Sequence, residues 1–109
     1  MGIYVVRMDH PNGTGWNTHV AEHVRYLQEL IEAGRLIASG PLKETPLRAG
    51  FLIFRATTLD EVKAMIHADP FTRENLIVDL DIQRWDPLFG QLSDLSSQDI
   101  PAELKGGNN

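Results

Sequence analysis

Four histidines and fifteen carboxylates are the groups in this chain that could move protons or bind a metal. His23 stands out by its position. It falls on the stripe Val20, His23, Val24, Leu27, Leu30 and Ile31, whose steps of three and four share one helical face. An imidazole there is either a core histidine with one satisfied nitrogen or a general acid and base. Asp69, followed by Pro70-Phe71, offers the matching choice. It is a turn residue, or it is the carboxylate that orients an imidazole, fixing the tautomer and stabilising charge on the ring. A carboxylate at a helix C-terminus is unfavourable for the helix dipole, which gives the second reading some weight.

His19 to His23 also reads H-x-x-E-H, a spacing that can place two imidazoles on zinc with the glutamate as base. With Asp69 the same residues would compose a set of two histidines and one carboxylate for iron. Five residues match such a pattern by chance, a peptidase of that kind needs a larger scaffold, and His19 sits in a fraying first turn. We therefore expect no metal and no cofactor, and keep a site on His19 and His23 as an alternative. His10 and His67 read as exposed surface histidines. Asp79 and Asp81 alternate along a strand and should face water.

The elements that must position these groups follow from periodicity and punctuation. Ile3–Met8 is β-branched and aromatic and predicts a strand. Asp9–Asn17 is a long loop rich in Gly and Asn, with Trp16 placed to lid a pocket or to pack on the domain edge. A helix should start at an Asn17 or Thr18 cap and end at Gly34. Leu36–Gly40 predicts a second strand stopped by Gly40-Pro41, and Gly50–Arg55 a third. Thr58-Leu59-Asp60-Glu61 is a capping box opening a second helix, which Pro70 should end. Leu76, Val78, Leu80 and Ile82 alternate with polar residues and predict a fourth strand. Residues 91–109 read as a loose tail after a domain spanning 1–90.

The order β-α-β-β-α-β is the ferredoxin-like split βαβ arrangement, an α+β fold with an antiparallel sheet and two helices on one face. Strands one and three are apolar on both faces: Ile3 and Val5 against Tyr4 and Val6, Phe51 and Ile53 against Leu52 and Phe54. A helix-free face lined in this way would be a large exposed patch, so we expect a homodimer packed through it.

Composition narrows the function. The 109 residues suit one domain, and a net charge of -5 argues against a nucleic-acid or anionic membrane partner. With no cysteine, thiolate catalysis and iron–sulfur clusters are excluded. No apolar run is long enough to span a membrane, and the first residues lack the pattern of a signal peptide, so we expect a cytoplasmic protein.

Glu22-His23-Val24-Arg25-Tyr26-Leu27, Gly34-Arg35-Leu36 with Gly40-Pro41, and Asp69-Pro70-Phe71 together resemble the YCII-related (YciI-like) family over roughly residues 1 to 86. The resemblance implies a dimeric α+β barrel related in fold to muconolactone isomerases, with a His–Asp active-site pair that maps onto His23 and Asp69. It also brings in a relative similar to a dehydrochlorinase of a chlorinated hydroxyquinol. Many members carry an Arg three positions before the His, where this chain has Val20. Arg25, Arg48, Arg73 and Arg84 are candidates to replace it. On this reading the chain is a cofactor-independent lyase or isomerase acting on a small, aromatic or lactone-like molecule. Trp16, Arg25, Gly40, Pro41, Phe71 and Arg73 are the expected ligand contacts. A non-catalytic small-ligand-binding module is the second reading.

Overall fold

The computed structural model describes residues 1–105; the last four residues of the expected tail, Gly106–Asn109, lie outside the described residues. The elements run β1 (Gly2–Asp9), α1 (Gly15–Glu32), β2 (Leu36–Leu42), β3 (Ala49–Ala56), α2 (Leu59–His67), α3 (Pro70–Arg73) and β4 (Asp79–Trp85). A 3-10 turn (Ser93–Leu95) and a one-turn helix α4 (Ala102–Lys105) follow. The sheet is antiparallel throughout, in the order β2-β3-β1-β4. This is the ferredoxin-like α+β fold expected from the element order.

Register sorts the strand residues by face. Tyr4, Val6 and Met8 of β1 lie beside Phe54, Leu52 and Gly50 of β3. With Leu36, Val62 and Ile66 they form the core beneath the helices. The opposite face carries Val5 beside Ile53, Arg7 beside Phe51, and Ile3 beside Trp85. Phe51 and Trp85 are exposed there, so the helix-free face is an apolar strip with a charged rim.

Several element ends differ from expectation, each for a local reason. The first helix starts at Gly15, with Thr14 at the cap position and no side-chain cap bond, rather than at Asn17 or Thr18. Gly15 permits this early start: a Cβ there would lie 2.9 Å from a methyl of Leu76. The second strand runs past Gly40-Pro41 to Leu42, because β2 is an edge strand and an edge tolerates a residue without an N–H. The last strand begins at Asp79, not Leu76. Asn75 takes a positive φ of 58°, and Leu76 returns its N–H to the Phe71 carbonyl instead of entering the sheet. After β4, the Asp86 carboxylate accepts from the Ser97 N–H and hydroxyl, which ties the chain beyond residue 90 back on itself.

The Thr58 cap forms, accepting from the Glu61 N–H, but the reciprocal bond is displaced by one residue: Glu61 accepts from the Thr57 N–H rather than from that of Thr58. The α2 helix then closes at Ala68, and Pro70 starts the separate turn α3 at its first position, where a missing N–H costs nothing. Tyr26 of α1 donates its hydroxyl to the Met65 carbonyl of α2 at 2.6 Å, bracing the two helices.

Candidate functional site

His23 and Asp69 meet. The α1 stripe aims His23 inward, and the turn before α3 aims Asp69 back at it. His23 Nδ1 lies 2.9 Å from both carboxylate oxygens of Asp69. The carboxylate also accepts from the Phe71 N–H at 2.9 Å, so Asp69 caps α3 and holds the ring at once. Asp69 is 2 % exposed, and such a charge is tolerable in the interior only when paired and hydrogen-bonded. A carboxylate on Nδ1 makes that nitrogen the donor. Nε2 is then the atom left to a ligand, and positive charge arriving on the ring is stabilised. Phe71 backs the ring, stacked at 4.0 Å between centroids and 9° between planes.

Above this pair lies a cavity of about 740 Å³ between α1 and the β2–β3 end of the sheet. Val20, Val24, Leu27 and Ile31 wall it from the helix, and Met8, Leu52, Ser39, Gly40 and Pro41 from the sheet. Trp16 closes one side, with the Arg48 guanidinium 4.0 Å from its ring centre. Among the described residues, Lys43 and Arg48 line the cavity and no carboxylate does, although the chain is acidic overall. Its charge therefore favours an anionic or electron-rich ligand.

The expected ligand contacts divide. Trp16, Gly40, Pro41 and Phe71 line the cavity together with His23. Arg25 and Arg73 do not. Arg25 projects to solvent from the outer side of α1. Arg73 lies on the far side of α3, engaged at 2.8 Å by both Glu22 and Glu74, and it holds the Glu22 carboxyl below the usual carboxylate range. Of the four arginines considered as replacements at Val20, Arg48 reaches the cavity, while Arg84 lies along Gly2. His19 faces Glu22 and Glu74 at 3.7 and 3.5 Å. Among the described residues no group of three or more His, Asp or Glu is arranged to hold a metal. No helix among them is long and apolar enough to cross a membrane.

His10 corrects the expectation of a surface histidine: it is 3 % exposed and lines the cavity. β1 extends through Asp9, and alternation continues the inward set Tyr4, Val6, Met8 to His10. The signal was present in the sequence, but ending the strand at Met8 hid it. His67 is exposed, as expected.

Comparison with known proteins agrees with this architecture. The structure is similar to 5-chloro-2-hydroxyhydroquinone dehydrochlorinase of Burkholderia phenoliruptrix in complex with 2,5-dihydroxybenzoquinone. The TM-score is 0.68 and the identity 24%, over 77% of this chain and 93% of that one. It is also similar to the protein Atu4242 of Agrobacterium tumefaciens, with TM-score 0.55 and 19% identity over 87% of this chain and 99% of that one. A NIPSNAP family protein of the same organism matches with TM-score 0.50 and 18% identity, over 84% and 99%. No curated protein matches the chain significantly. The family model of the YCII-related domain matches residues 1–86, which hold β1 to β4 and the His23–Asp69 pair, and the chain belongs to that family.

Proposed function

We propose that the protein is a cytoplasmic enzyme that transfers protons on a small, planar, hydroxylated or lactone-like molecule, with elimination or isomerisation as the outcome. The carrying observation is His23 Nδ1 held 2.9 Å from both Asp69 oxygens beneath an apolar cavity. His23 Nε2 takes a proton from the ligand and returns it to the leaving group or to a neighbouring carbon. Asp69 keeps the tautomer correct and steadies the imidazolium in between. Lys43 and Arg48 favour negative charge as it develops on the ligand. The fold-level likeness to a dehydrochlorinase that binds an oxygenated ring supports the substrate class.

Asp69→Asn tests this reading, with 5-chloro-2-hydroxyhydroquinone as the first compound assayed. Turnover should fall by about 10²- to 10⁴-fold while KM changes little, because the carboxylate matters chiefly when charge reaches the ring. The Nδ1 proton signal of His23 should weaken in the same variant. Equal loss of affinity and turnover would instead make the chain a binding module.

The assembly reading is a homodimer through the open sheet face, supported by the apolar strip of Val5, Phe51, Ile53 and Trp85. Light scattering should give twice the chain mass, and Ile53→Lys should halve it.

A further inference from the structure

The cavity holds a second imidazole whose chemistry differs from the first. We infer that His10, through Nε2, accepts a hydrogen bond from a hydroxyl of the ligand and so selects hydroxylated rings over their alkylated or deoxygenated analogues. This inference rests on the proposed use of the cavity and deepens it by naming a feature of the substrate.

His10 and Asp69 are the buried polar side chains among the described residues, and burying such a group costs free energy unless it is bonded. One His10 nitrogen is bonded: Nδ1 lies 2.7 Å from the Leu76 carbonyl. A carbonyl oxygen has no proton to give, so Nδ1 donates. The neutral ring then carries its lone pair on Nε2. No described side chain takes that lone pair. A Cβ on Gly50 would stand in van der Waals contact with Nε2, 3.9 Å away, so the absence of a side chain at Gly50 leaves that side of the nitrogen to the cavity. His10 and Gly50 both line the cavity, so a ligand is the partner that fits there.

The setting keeps the ring neutral and fixed. Burial pushes His10 below its ordinary value near 6.5; the Leu76 bond opposes this, nearby His23 adds to it, and Asp69 and Asp9 oppose it. Phe71 meets the His10 ring edge-on at 5.0 Å and 64°, while its face supports His23. Leu76 is itself locked by its N–H to the Phe71 carbonyl and by the close approach of Gly15. A ring held this firmly, with one nitrogen satisfied and the other open to an apolar cavity, reads a donor at a fixed point. An ether oxygen or a chlorine in that place leaves Nε2 desolvated and unpaired, the kind of penalty by which a polar site rejects an analogue lacking its hydroxyl.

The test uses 4-chlorophenol and 4-chloroanisole, which differ by one methyl on the oxygen, titrated into the full-length protein at pH 7. The wild type should bind the phenol about five-fold or more tightly, as one hydrogen bond predicts. The preference should vanish in His10→Phe, and should fade in the wild type as acid protonates His10. A purely structural role for His10 would move neither ratio. Ring ¹⁵N spectra of the unliganded wild type should show Nε2 of His10 unprotonated. A proton on Nε2, or a preference that survives in His10→Phe, overturns the inference and leaves the His23–Asp69 proposal standing. Failure of the wild type to bind either compound counts against the cavity reading and this inference together.

Discussion

The two long helices lie on the same face of one sheet and carry stripes of the same apolar kind, yet they treat those stripes differently. On α2, Val62 and Ile66 are buried in the core cluster that also holds Phe54 and Leu52. On α1, Leu27 alone is buried; Val24 is 43% exposed and Ile31 51% exposed, because the whole stripe except Leu30 is cavity wall. Apolar side chains at helical spacing mark the side that turns inward, not whether anything fills it. The incompletely packed helix is the one that carries His23, which is where a ligand site needs room.

Truncations on the packed side should be the most costly. Phe54 is 2 % exposed and central to the core. Phe54→Ala should destabilise the protein by about 3–5 kcal/mol in urea unfolding, the range for a buried phenylalanine. A loss under about 1 kcal/mol would erase the contrast between the helices.

The cavity rim should respond in binding rather than in folding. Arg48 stacks on Trp16 and reaches Asn17 at 3.4 Å, but it is exposed to solvent. Arg48→Ala should weaken binding of the dianion of 2,5-dihydroxybenzoquinone by about five-fold, in line with about 1 kcal/mol for an exposed charge contact. The effect should shrink with added salt. Equal weakening of a neutral ligand would assign Arg48 to shape rather than charge.

Acid should probe the junction of the two sides, where His10 closes β1 under Phe71. The folded protein resists protonating His10 more than the unfolded chain does, chiefly through burial. Its contribution to stability is therefore whole above pH 6.5 and declines as pH falls below that value towards the folded-state midpoint. Urea unfolding across that window in wild type and His10→Gln should show the slope reduced in the variant. Parallel profiles would mean that His10 titrates alike in both states.

The fold was legible because local signals agreed: alternation in β1 and β3, the capping box at Thr58, and the βαββαβ order. The His–Asp pair was legible as two residues with matching chemistry, but their contact depends on α1 crossing the turn before α3, which no spacing encodes. Arg25 and Arg73 illustrate the opposite failure. They were expected as ligand contacts, whereas neither lines the cavity: Arg25 is exposed and Arg73 pairs with Glu22 and Glu74. His10 was missed through one boundary: the strand runs one residue further, to Asp9, and His10 just beyond it keeps the inward alternation to the cavity. The β4 onset was misplaced because Leu76 continues the alternation while bonding back to Phe71, and Val78 makes one bond to the Asp9 carbonyl before the paired register starts at Asp79.

The smallest effect on stability should come from the unfilled part of the α1 stripe, and it completes the contrast with α2. Ile31 lies in the last turns of α1, half exposed, on the cavity wall. Replacing it with glutamine removes a branched side chain that packs little in the free protein, and glutamine has the higher helix propensity. Ile31→Gln should therefore change stability by no more than about 0.5 kcal/mol, far below the loss at Phe54. Its effect on 4-chlorophenol should be larger in proportion, because a ligand in the cavity covers the apolar surface that the free protein leaves wet. Burial of roughly 40 Å² against Ile31, at about 25 cal/mol per Å², corresponds to about five-fold in affinity. Urea unfolding and ligand titration on the same variant separate the two quantities. A stability loss like that of Phe54→Ala, with binding unchanged, would show that Ile31 belongs to the core and that the two helices pack alike.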